Sequence, residues 1–136
     1  MAENEYPPMN RILSLSPGAV IPFLKRVAVS TQDNQSRLIP LNGTVQDVVM
    51  VFPAGCHQLV EVRLVYSPKG GSRDFIIPTV DEAFIALDDT IVVFHPQYPV
   101  KAPGSLEVEW WNYDTINTHS VPVVITLVPV GLERES

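Results

Sequence analysis

The 136-residue sequence predicts an all-β fold, a single-domain antiparallel β-sandwich that is jelly-roll-like and carries an extended Pro-rich N-terminal arm. Three observations predict it. About seven to nine short apolar runs alternate at period two or are rich in β-branched residues, with turn signals at roughly eight- to twelve-residue spacing. No segment of about ten residues or more keeps a helical period. Thirteen prolines stand largely in the connections, where they end strands without having to donate to a ladder.

Taken in order, Met1 to Asn10 (MAENEYPPMN) has no periodicity and a Pro-Pro pair, as a terminal arm does. Arg11 to Arg26 (RILSLSPGAVIPFLKR) is cut by Pro17-Gly18 and Pro22, which excludes one continuous helix. Two readings fit it: an apolar arm that docks on a neighbouring subunit, or the first strand of the chain's own sheet. Residues 1–26 are therefore set apart as arm or edge, 27–130 as the sandwich, and 131–136 as a C-terminal tail.

Val27 to Ser30 is expected as a short strand, Thr31 to Ser36 (TQDNQS) as a polar loop, and Arg37 to Leu41 as a second short strand ending at the Asn42-Gly43 turn. Val45 to Phe52 is a core strand stopped by Pro53-Ala54-Gly55, and Leu59 to Tyr66 places Val60, Val62, Leu64 and Tyr66 on one face. Ser67 to Asp74 (SPKGGSRD) reads as a loop tip before the short run Phe75 to Ile77. Thr79 with Glu82 offers the one helical start, and Ala83 to Leu87 and Ile91 to His95 read as a hairpin or bent strand around Asp88-Asp89-Thr90. A rigid Pro-rich connection follows. Ser105 to Pro129 then reads as a hairpin, with Leu106, Val108 and Trp110 facing the core and an Asn/Asp turn before a run from Val121.

Composition excludes several function classes. A net charge of -6 gives no basic stripe to neutralise phosphates, so no nucleic-acid partner is expected. No apolar run nears the roughly 18 residues of a membrane span, and no signal peptide is read, so a cytoplasmic or virion location without a membrane partner is expected. Cys56 is single, so no internal disulfide can form. Charged residues make up 18% against 46% hydrophobic. A surface so poor in charge leaves apolar patches that usually mark contacts, and a homo-oligomer is the expected state.

Candidate chemistry is sparse. His57, His95 and His119 with Cys56 are the available zinc or copper donors, but no HxH, HxxxH or HExxH spacing puts two on one face. Asn112, Asp114, His119 and Val121 resemble the strand bearing the first copper-ligand histidine of cupredoxins, yet nothing after His119 supplies that family's remaining ligands. Cys56 beside His57 is a poor nucleophile and base pair, because adjacent side chains point apart. The carboxylate pairs Asp81-Glu82, Asp88-Asp89 and Glu107/Glu109 show no facing acid and base, and Asp88, Asp89, Asn112 and Asp114 lack a calcium-loop spacing. No catalytic residue, metal ligand or cofactor is assigned. Trp111 and Tyr113 are expected outside the core, as interface anchors or as a sugar-stacking platform with Asn112 and Asp114. The interface candidates are Ile12, Leu13, Val20, Phe23, Trp111 and Tyr113.

The Pro-rich arm from Tyr6 to Phe23, the short strands, the acidic balance and the missing catalytic motif together resemble the small all-β structural proteins of virus particles, such as capsid decoration proteins. That resemblance implies trimers or similar rings, attached to a larger protein shell through the arm. The functional expectation is a non-enzymatic assembly protein. A carbohydrate-binding module and a small metal-dependent enzyme using His57, His95 and His119 stand as alternatives.

Overall fold

Where Val, Ile and Leu recur at period two, one face of an extended chain becomes apolar and can be buried only against a second sheet. The computed structural model describes residues 18–79 and 83–129. The strands are β1 (Ala19–Phe23), β2 (Arg26–Val27), β3 (Thr31–Leu38), β4 (Gly43–Phe52), β5 (Val60–Ser67), β6 (Asp74–Ile77), β7 (Thr90–Phe94), β8 (Tyr98–Val100), β9 (Ser105–Asn112), β10 (His119–Ser120) and β11 (Val123–Pro129).

One sheet has the order β1-β11-β4-β7, with β8 also on β4; the other is β3-β9-β5-β6; β2 and β10 form a small ribbon. The antiparallel partners are nested: β5 with β6, β4 with β7 and β8, β3 with β9, β1 with β11. A long hairpin rolled up in this way is the jelly-roll wind expected from the sequence. The core lies between the sheets. Phe23, Val45, Val48, Met50, Phe52, Leu64, Leu106, Trp110, Ile125 and Leu127 are all sealed within it.

Several expectations are corrected. Thr31 to Ser36 is not a loop but most of β3: its side chains are polar, yet it lies at a sheet edge and its backbone is paired along its length by β9. An edge strand sees water on one side, so hydrophobic alternation does not mark it. Ser105 to Pro129 is not a hairpin, because β9 and β11 belong to different sheets and β10 pairs β2 on the way across. Ala83 to Leu87 contributes only a bridge from Ile85 to Val62.

Between the two readings of Arg11 to Arg26, Ala19–Phe23 is the first strand of the chain's own sheet, in register with β11. Phe23 is consequently no interface residue: its ring is 1% exposed and faces the core. Ile12, Leu13, the rest of the arm before Gly18, the Thr79 to Glu82 start and the tail 131–136 lie wholly or partly outside the described residues.

Candidate functional site

On β9 the alternation sends Leu106, Val108 and Trp110 inward and Glu107, Glu109 and Trp111 outward. Trp111 is 37% exposed and Tyr113 is 51% exposed. Their rings stack at 6.3 Å with 26° between planes, and Phe84 meets Trp111 edge-on at 6.2 Å. In the neighbouring row of the same face the Arg63 guanidinium lies 4.7 Å from the ring centroids of both Phe75 and Phe84. Burial of its ring, followed by the nearby Glu61 carboxylate and a hydrogen bond to it, pushes the Tyr113 hydroxyl pKa up. Beside the platform is a groove of about 350 Å³ lined by Ser30, Thr31, Gln32, Trp111, Tyr113 and Thr115.

The outward glutamates are not simply solvated. Glu109 is buried and accepts from Arg63 Nε and from Arg73 Nη2, each at 2.6 Å. Arg73 also reaches Glu107 at 3.7 Å, and Asn34 Nδ2 donates to Glu107. These charges pair with one another in the rows beside the platform.

A second cluster sits in the crossing after β9. Asn112 Nδ2 donates to the Val27, Ala28 and Asn117 carbonyls, and its Oδ1 accepts from the Asp114 N–H. Asp114 accepts from the Ile116 and Asn117 N–H groups and from His119 Nε2 at 2.8 Å. The Ile116 N–H, followed by the His119 bond, holds the Asp114 carboxyl down to about 2. His119 Nδ1 in turn stands 3.9 Å from Cys56 Sγ.

Thiol, imidazole and carboxylate thus follow the order of a nucleophile, its base and an orienting acid. Cys56 meets His119 here; the neighbouring His57 turns away. The thiol is nevertheless fully buried, and burial, reinforced by Asp88 and Asp114, raises its pKa. Burial and a raised pKa are the surroundings of a packing thiol and the opposite of those that activate a nucleophilic one.

The three histidines are kept apart, each against its own aspartate: His57 3.8 Å from Asp88, His95 2.6 Å from Asp47, His119 2.8 Å from Asp114. Asp88 also accepts from the Gly55 and His57 N–H groups, and the His57 N–H is the main cause of its lowered pKa. Among the described residues no group of three or more His, Cys, Asp or Glu is placed to hold a metal ion.

The feature that pattern reading passed over is the outer face of the β1-β11-β4-β7 sheet. Pro22 pairs with Val124, Val124 with Val49 and Val49 with Val93, so one row crosses four strands without a polar side chain. Val51 and Ile91 form the next row, and Val20 stands opposite Thr126 in the row on the other side. Val20 and Ile91 are each 65% exposed and Val93 is 48% exposed. The signal was present in β4, where Val49 and Val51 are apolar although Val48 and Met50 already fill the core face; a strand apolar on both faces is one with something to cover on each.

No protein-family model matches the chain, and no curated protein matches it. Among solved structures it is similar to the Yersinia pseudotuberculosis-derived mitogen, at 8% identity and a TM-score of 0.47 over 88% of this chain and 92% of that one. It is also similar to FLHE, at 14% identity and a TM-score of 0.40 over 83% and 99% of the two chains. A third likeness is to VP2 of the infectious bursal disease virus subviral particle, at 10% identity and a TM-score of 0.29, over 87% of this chain but 35% of the viral one. Likenesses this distant assign no family.

Proposed function

We propose that the chain is a non-enzymatic structural protein that assembles with copies of itself, in the manner of a virus-particle component. One observation carries this reading: the two adjacent apolar rows on the outer face, built from Pro22, Val49, Val51, Ile91, Val93 and Val124 and bordered by the paired Asp47 and His95. Apolar sheet surface of this kind gains free energy when a second surface removes it from water, at about 25 cal/mol per Å² buried. Trp111 and Tyr113, aromatic and partly exposed on the opposite sheet, are further anchors for a neighbour or shell.

Light scattering tests it on three chains: the full chain, a chain beginning at Gly18 and the double variant Ile91→Glu, Val93→Glu. The truncation stops before β1, whose loss would open the core at Phe23. A defined oligomer that the double variant dissociates, with thermal stability kept, supports the reading. A full chain that is monomeric at every concentration overturns it.

A second reading, a carbohydrate-binding module, is favoured by the near-parallel Trp111 and Tyr113 rings beside a groove carrying hydroxyl and amide groups. Pyranose rings present C–H faces that pack on such platforms. Saturable binding of a soluble oligosaccharide by monomeric protein, abolished in Trp111→Ala, would establish it.

A further inference from the structure

β3 (TQDNQSRL) is an open sheet edge, flanked on one side by β9 alone. Ile39 donates its N–H to the Gly104 carbonyl, one step beyond the strand in the same register. In an antiparallel ladder, alternate residues point their backbone groups to alternate sides. The odd-numbered residues of β3 therefore bond β9, and the N–H and C=O groups of Gln32, Asn34, Ser36 and Leu38 point outward from the sheet.

Proteins blunt such edges with brevity, proline, bulges or charged side chains. The other edges here follow that rule. β1 carries Pro22, β8 carries Pro99, β7 has five residues and β6 has four. β3 has eight residues, no proline and an uninterrupted register with β9, and its two charges, Asp33 and Arg37, are of opposite sign, so that they repel a second strand in one register and attract it in another.

From this edge we infer that two copies of the chain pair β3 with β3 about a two-fold axis through Gln35, joining their four-stranded sheets into one of eight strands. The reading rests on self-assembly and names one of its contacts. The register follows from charge. With Gln35 opposite itself, Asn34 faces Ser36 and Gln32 faces Leu38 of the other copy, so each outward backbone group meets an outward partner. In the same register Asp33 lies opposite Arg37 of the second copy, and Arg37 opposite Asp33.

These two cross-strand pairs occupy the non-hydrogen-bonded positions, where side chains come closest. A shift of one residue either way, with the axis through Asn34 or Ser36, leaves both charges facing neutral residues. The Asp33 side chain is 38% exposed, with Lys25 Nζ 3.6 Å from its Oδ1; the same oxygen accepts the Asn34 N–H at 2.8 Å, a bond that the pairing exchanges for one to Ser36 of the second copy, and Arg37 is exposed over the Phe23 ring. Among the described residues no carboxylate is ion-paired with Arg37.

The test uses full chains carrying Asp33→Arg, Arg37→Asp or both, weighed by light scattering or sedimentation at low salt, with melting curves as a check on folding. Each single variant sets like charges opposite each other twice, and association should weaken by at least about tenfold. Mixing the two single variants should restore it as a mixed pair, because each then supplies the charge the other lacks. The double variant should associate with itself as the parent does.

If the parent is an oligomer and the single variants keep its mass, or lose it without recovery on mixing, the β3 pairing is wrong while self-assembly stands. If the parent is a monomer at all concentrations, both fall.

Discussion

Trp110 on β9 and Val121, two residues before β11, are joined by a hydrogen bond: the indole Nε1 donates to the Val121 carbonyl at 2.8 Å, and both residues are fully buried. The bond lies where the chain passes from one sheet to the other, so a single side chain both fills the core and fixes the crossing. Replacing Trp110 by Phe leaves that carbonyl unsatisfied in the core. The expected loss is about 1–3 kcal/mol, with a further loss for the volume removed. Urea unfolding should show a lower midpoint at unchanged slope; an unchanged midpoint would refute the role given to the bond.

Arg63 bears on stability in a different way. Its side chain is 13% exposed, it is flanked by Phe75 and Phe84, and its Nε reaches Glu109. Arg63→Met keeps much of the packing but leaves Glu109 buried with Arg73 alone. That should cost about 3 kcal/mol, the lower end for breaking a buried pair, because Arg73 persists. Arg63→Lys should recover only part of it, since a lysine ammonium cannot lie flat between two rings while holding a carboxylate. Equal stability of Arg63→Lys and the parent would show that the planar fork is immaterial.

The parts legible in the sequence are those where burial has a one-sided signature. β4 and β5 alternate or run apolar, and Trp110 falls into the core by simple parity with Leu106 and Val108. What stayed hidden depends on pairing. β3 carries no apolar alternation because its ladder to β9 is made by backbone, and β9 and β11 look like hairpin arms because nothing local says which sheet each joins. The Cys56 to His119 contact joins residues 63 apart, so no spacing rule reaches it. The outer apolar row was readable strand by strand; only the register places Val124, Val49 and Val93 side by side.

Acid should weaken the fold through Asp114. Its carboxyl is held to about 2 in the folded chain, against roughly 3.9 for an unperturbed aspartate. Between those values the unfolded chain binds more protons, so stability is complete above the unfolded value and is lost as pH falls through about 2. Asp88, lowered chiefly by the His57 N–H, acts with the same sign. Melting temperatures between about pH 6 and pH 2 should fall for the parent; Asp114→Asn should start lower and fall less steeply. Parallel curves for the two proteins would remove Asp114 from the account.

Cys56 supplies the last expectation. A thiol sealed in the core, with its pKa raised by burial and by the Asp88 and Asp114 charges, is neither accessible nor ionised at neutral pH. Native protein should react with a disulfide reagent at pH 8 at least about a hundredfold more slowly than unfolded chain, because labelling waits for opening. The rate should rise with urea in step with unfolding. His119→Ala removes the imidazole 3.9 Å from the sulfur, and should quicken labelling only as far as it destabilises the fold. Fast native labelling that His119→Ala abolishes would instead mark Cys56, His119 and Asp114 as a working nucleophilic set, and the non-enzymatic reading would have to give way.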